Sequence, residues 1–133
     1  MNLRGFSIIE LLLVLLVSGI ISSVVAPNYS KIQELAKNYS LKNQSYAIQL
    51  ALQSYELELG QFPSSDSGIE GLLSELTTKG YIQSSAENPY TKTTFSNDDS
   101  SGLIEYNYDA STQRYSLAVY GYLNETLILE LGH

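Results

Sequence analysis

Few residues in this 133-residue chain could do chemistry. The densest group is acidic: Asp98, Asp99, Glu105 and Asp109 follow one another without an intervening Lys or Arg, beside Asn97, Ser100 and Ser101. Hard oxygen donors of this kind suit Ca²⁺, which takes roughly 6–8 of them from a loop, and Asp98, Asp99 and Asp109 are the candidate calcium ligands. The spacing is not that of an EF-hand, and Glu105 falls on the outward side of the strand pattern that follows. A solvated acidic loop is therefore the competing reading. Glu56 and Glu58 stand two apart in a helical stretch and face different directions, which makes a poor acid–base pair. There is no cysteine, so a disulfide framework, a thiolate zinc site and a cysteine nucleophile are all excluded. The lone histidine is the last residue, His133, which removes Ser-His-Asp catalysis in its usual form. No nucleophile, base and oxyanion donor converge, and no enzymatic activity is expected. Seven Lys and Arg against fourteen Asp and Glu give a net charge of −7, so no nucleic-acid partner is expected either.

The remaining acid of interest is Glu10, the one charge in residues 6–26, Phe-Ser-Ile-Ile-Glu-Leu-Leu-Leu-Val-Leu-Leu-Val-Ser-Gly-Ile-Ile-Ser-Ser-Val-Val-Ala. As a helix this stretch is long enough to cross the ~30 Å hydrocarbon layer. Arg4 ahead of it sets the N-terminus on the cytoplasmic side and the remainder outside. A cleaved secretory signal fits less well. Its apolar region should be shorter, and the end candidate Val24-Val25-Ala26 is followed by Pro27. An acid at the bilayer centre costs roughly 2.5–3.5 kcal/mol on insertion scales and less near an interface. A passive anchor has no need of it, although a shallow Glu can snorkel to the headgroups. Were the chain cut after Gly5, the new α-amine on Phe6 would lie about one helical turn from Glu10, free to pair with the Glu10 of an adjacent copy.

Gly5-Phe6-Ser7-Ile8-Ile9-Glu10-Leu11, followed by an unbroken apolar run, resembles the class III signal of type IV pilins and type II secretion pseudopilins. The resemblance implies that a prepilin peptidase cuts between Gly5 and Phe6 and N-methylates Phe6, and that Glu10 guides docking into a helical filament. Gly19 and Pro27 fall where members of that family often carry a helix-loosening glycine and proline. The resemblance is strong over about the first 30 residues and looser beyond. Tyr55 to Pro63, Lys79-Gly80-Tyr81 and Asn88-Pro89-Tyr90 look like the major pseudopilin branch, but Ser-Ser-Ala-Glu precedes Asn88 in place of the aspartate, proline and tryptophan common there. Some members of that branch bind calcium in their sheet region. The strand-like ending Leu127–Leu131, where that branch often has a metal-binding loop, leans instead toward a pilin.

Several elements must position these groups. Pro27 would cost a soluble helix ~3 kcal/mol. Within a bundle, neighbours and the nearby Ser22 and Ser23 hydroxyls can satisfy the carbonyls it frees. Leu41, Ile48, Leu52, Tyr55 and Leu59 fall on one helical stripe, which Ala47, Leu50 and Ala51 widen. The second half of the stretch is expected to pack on a globular head and the first half to face other subunits, before Gly60 and Pro63 stop the helix. From Ser7 to Leu59 it would extend about 80 Å. Ser67-Gly68-Ile69-Glu70 reads as a capping box, with Ile69, Leu72, Leu73 and Leu76 on one face and Gly80 at the end. Three alternating segments follow: Ile104, Tyr106 and Tyr108; Tyr115, Leu117 and Val119; Leu127, Leu129 and Leu131. Their short polar links favour an antiparallel meander.

The expected fold is α+β, a pilin fold with a long N-terminal helix packed against a small antiparallel sheet. The expected divisions are a leader at 1–5, a transmembrane and polymerisation helix at 6–26, its amphipathic continuation at 27–59, and a globular head at 60–133. The function expected is a structural subunit of a type IV pilus-like filament, with the major pseudopilin of a type II secretion system as the alternative. A monomeric single-pass protein with an exported binding domain is the reading from another class. The implied partners are further copies in a helical homopolymer, the prepilin peptidase, an inner-membrane assembly platform, and minor pilins or pseudopilins. The chain would sit in the inner membrane with its head outside the cytoplasm, then in a periplasmic or extracellular filament.

Overall fold

The computed structural model describes residues 5–83 and 86–132. Helix α1 spans Ile8–Leu59 and helix α2 Gly68–Thr78; strands β1 (Ile104–Asp109), β2 (Arg114–Tyr120) and β3 (Leu127–Gly132) follow, with a 3₁₀ turn at Tyr122–Asn124 before β3. The chain divides into two compact units, one up to Leu35 and one from Ala36 onward. This is the expected α+β arrangement.

In the unit from Ala36, the helical period decides which side chains enter the core. Leu41, Ser45, Ile48, Ala51, Leu52 and Tyr55 form the buried stripe of α1. Ser45 is admitted because its hydroxyl donates to Leu41 O at 2.8 Å, so no polar group is left unpaired. Three expected members of this stripe lie elsewhere. Leu50 is 65% exposed and Ala47 is also exposed, because Leu50 follows Ile48 by about 200° of helical rotation. Leu59 is 45% exposed, at the turn where the chain leaves the helix through Gly60 with φ 75°.

Helix α2 contributes Ile69, Leu72, Leu73 and Leu76 to the same core. It ends in a Schellman motif, with Tyr81 N–H on Leu76 O at 2.9 Å and Gly80 N–H on Thr77 O at 3.1 Å, Gly80 taking the φ of +82° that the motif requires. Its start corrects the expected capping box. Ser67 makes no side-chain cap bond. Instead Asn97 Oδ1 accepts the Ile69 N–H at 2.9 Å, and Asn97 Nδ2 donates to Ser67 O at 3.2 Å. Glu70 does not turn back to residue 67; its Oε1 accepts the Ser96 hydroxyl at 2.6 Å and the Asn97 N–H at 3.2 Å. Gly68 makes room for the incoming amide: a Cβ there would lie 2.2 Å from Asn97 Oδ1.

The sheet is the expected meander, in order β1-β2-β3 with both pairs antiparallel. Ile104 opposes Val119 and Tyr106 opposes Leu117, so the buried faces of β1 and β2 coincide. β3 is an edge strand; its register against β2 shifts between Val119 and Tyr120, and Leu129 and Leu131 are half-buried while Leu127 is exposed. Phe62 joins sheet to helix, its ring 4.6 Å from that of Tyr115.

Candidate functional site

In the unit up to Leu35, the side chains from Phe6 to Val25 are all exposed. A helix apolar on every side has no place against water and is at home only in lipid or inside an assembly. By length and composition this helix can cross a membrane. Gly5 and Phe6 precede it in non-helical backbone. Glu10 lies in the first turn. The unpaired N–H groups of a helix start favour a carboxylate there, which lowers the cost of an acid in an apolar stretch. Gly19 has nothing within 4 Å of a built Cβ. A helix-interior glycine costs about 1 kcal/mol relative to alanine, and among the described residues no neighbour crowds the site to require it. Ile21, Ser22, Val25 and Tyr29 line a shallow groove of about 440 Å³.

Pro27 lies within α1 without ending it. The Ser22 hydroxyl donates to Ser18 O and that of Ser23 to Ile20 O, each at 2.8 Å. A proline at 27 frees the carbonyl of residue 23, one turn further on. Arg4 and His133 lie outside the described residues.

The calcium candidates are not brought together. Asp98 and Asp99 precede β1 whereas Asp109 ends it, and five strand steps separate Asp109 from Ile104 by about 17 Å. Each cluster is also occupied locally. Asp109 accepts the Ser111 hydroxyl and N–H and the Thr112 hydroxyl, and these bonds, the Ser111 hydroxyl foremost, hold its carboxyl below the usual range. Asp99 accepts the Ser96 N–H at 2.9 Å. Among the described residues no three His, Cys, Asp or Glu side chains are grouped to hold a metal.

What pins the acidic loop is amide chemistry. Asn124 Nδ2 donates to Asp99 O at 2.7 Å while its Oδ1 accepts the Leu103 N–H at 3.1 Å. Asn88, fully buried, donates to Ser101 O and accepts the Tyr90 N–H, both at 2.9 Å. Asn88, Asn97 and Asn124 were not evident as a set in the sequence; the only local signal is that each stands in a turn-rich polar stretch. An open groove of about 640 Å³ runs between α2 and residues 93–96, and Glu70 is its one ionisable lining residue. That offers no acid–base pair.

A long helix, apolar at its start and amphipathic later, together with a small antiparallel meander, defines a pilin-like subunit. A family model described as type II secretion system (T2SS), protein G, matches residues 28–126, and the chain belongs to that family. Among its relatives are proteins named type II secretion system core protein G from Klebsiella pneumoniae (26% identical over 89 residues, 67% of this chain and 64% of the relative), Pectobacterium carotovorum (26% over 96 residues, 65% and 62%) and Vibrio cholerae (29% over 94 residues, 65% and 64%). The chain thus spans a little under two thirds of the length of these relatives. No solved structure matches it. The family match begins at residue 28, beyond Gly5, Phe6, Glu10 and Gly19.

Proposed function

We propose that this chain is the major pseudopilin of a type II secretion system, the repeating subunit of a short filament assembled from the inner membrane. This takes the secretion alternative ahead of the pilus reading first expected. The observation that carries it is the family match over residues 28–126, joined to an apolar helix whose described side chains from Phe6 to Val25 are all exposed. In this reading a prepilin peptidase cuts between Gly5 and Phe6 and methylates the new amine. The Phe6 amine of an incoming copy then neutralises the Glu10 of its neighbour in the apolar layer, and the helices bundle. An inner-membrane platform and minor pseudopilins complete the assembly, with the head outside the cytoplasm. The acids of the head, ten against three Lys and Arg beyond residue 60, keep it soluble in that compartment.

Mass spectrometry of the mature protein tests the first step. An N-methylated Phe6 terminus is expected, and an unprocessed Met1 terminus from cells that contain the peptidase would overturn the reading. A deletion strain separates secretion from pilus function: loss of exoprotein release with surface pili intact is expected, and the reverse pattern restores the pilus reading.

A further inference from the structure

Strand β1 forms one edge of the sheet. The antiparallel ladder fixes which of its backbone groups face outward. Tyr120 N–H donates to Leu103 O at 2.9 Å, and alternation from that bond turns the backbone of Glu105 and Asn107 toward β2. Ile104 and Tyr106 therefore turn their N–H and C=O groups away from it. The Ser65 hydroxyl approaches Tyr108 O, the next group in that outward series, at 3.5 Å. Beside this edge runs a groove of about 400 Å³, lined by Ser65, Gly68, Ile69, Asn97 and residues 103–107. Natural edge strands are commonly blunted by Lys, Pro or a bulge. β1 contains neither Lys nor Pro, and its register against β2 runs unbroken from Ile104 to Asp109. We infer that β1 accepts a short extended segment of another protein, basic on one face and small on the other, as a fourth strand of this sheet.

The backbone selects an extended peptide, because a row of outward donors and acceptors at strand spacing is matched by another strand. The side chains select the faces of that peptide. On the outer face of the sheet Glu105 stands opposite Ala118, and Ala118 opposite Glu130, so this row holds two carboxylates and no Lys or Arg. Glu105 is exposed and accepts the neutral Tyr120 hydroxyl at 3.2 Å, which leaves its charge uncompensated. The only cation in the three strands, Arg114, stands opposite Asp109 at the far end of β1. A Lys or Arg on the added strand beside Glu105 supplies the opposite-charge cross-strand pair that the row lacks. Toward the groove the alternate side chains meet Ser65, Gly68 and Asn97, which suit Ser or Thr. None of these residues takes part in the processing or docking steps proposed above, and the surface is independent of them.

The probe is the peptide acetyl-Lys-Thr-Lys-Thr-Lys-amide, added to the full-length chain in phosphatidylcholine nanodiscs and followed by amide hydrogen exchange in NMR spectra. Saturating peptide is expected to slow exchange of the Ile104 and Tyr106 N–H groups by about fivefold or more. Ile128 and Glu130, on the opposite edge of the sheet, should keep their rates. The same peptide N-methylated at its central residues keeps its charge and should leave all four rates unchanged. Glu105→Lys should weaken binding by about fivefold, the upper end for one opposed pair. Near-ultraviolet dichroism of that variant should match the native chain, since Glu105 lies outside the core. Equal slowing by the N-methylated peptide would mean charge attraction without strand addition and overturns the inference, as does slowing at Ile128 and Glu130 alone. Exchange at Ile104 and Tyr106 that is already as slow without peptide as at Glu105 and Asn107 would show the edge closed within the chain, and overturns it too. Neither result bears on the Phe6 terminus, so the pseudopilin reading stands or falls by its own measurements.

Discussion

Two stretches of one helix, similar in length, solve opposite problems. Residues 8–25 are apolar almost throughout and exposed at every position, whereas residues 36–57 commit one stripe to a core and leave another bare. The difference lies in pattern more than in apolar content. Where apolar residues fill every helical position, no single domain can cover them and an environment must. Where they recur at 3 and 4, a small sheet and a short helix suffice. The first stretch has the length and composition of a membrane-crossing helix, and the second joins Ile104, Leu117 and Val119 in one core.

Substitutions in each stretch should break this contrast by unequal amounts. The largest effect is expected of Glu10→Val, which should leave membrane insertion and thermal unfolding of the head unchanged yet reduce incorporation into filaments by at least about tenfold, scored by electron microscopy and pull-down. Undiminished filaments would show that the acid does no work in docking. Next comes Leu52→Ala, which should destabilise the head by about 2–5 kcal/mol in detergent unfolding. Leu12→Ala, equally apolar but exposed, should leave the transition where it was. A third pair probes the cap of α2. Asn97→Ala should cost about 1–2 kcal/mol, and Ser67→Ala under about 0.5 kcal/mol; the reverse order would restore the local capping box. The smallest effect concerns acid. The Ser96 hydroxyl and then the Asn97 N–H hold the Glu70 carboxyl below its ordinary 4.5. The stability it adds is thus full above that ordinary value and lost as pH falls through the depressed one. The melting difference between the native chain and Glu70→Gln should shrink over that acid window, and a difference that persists through it would mean the carboxylate is not the gripping species.

Much of this architecture could be read from periodicity. Helix α2, the meander and the stripe from Leu41 to Tyr55 all follow from steps of 3, 4 and 2, because burial selects side chains by face. Periodicity does not tell where residues close in sequence part company in space. Asp98 and Asp109 look like one acidic group until β1 is drawn out between them. Ser67 and Glu70 look like a self-contained cap until an amide from residue 97 takes the place. Leu50 and Ala47 count as core by composition and fall outside it by angle. For Gly5 and Phe6, proposed for processing, and Glu10, proposed for assembly, the sequence motif remains the basis of the proposed roles.

The borrowed cap on α2 bears on the order of events as the chain emerges. Asn97 lies 28 residues beyond Ile69, whose amide it satisfies. An eleven-residue helix is marginal alone, so α2 stays unfinished until that later loop has arrived, and the loop in turn closes only on a formed helix. Synthesis from the N-terminus therefore delivers Ile69 well before its acceptor, and the cap is completed late.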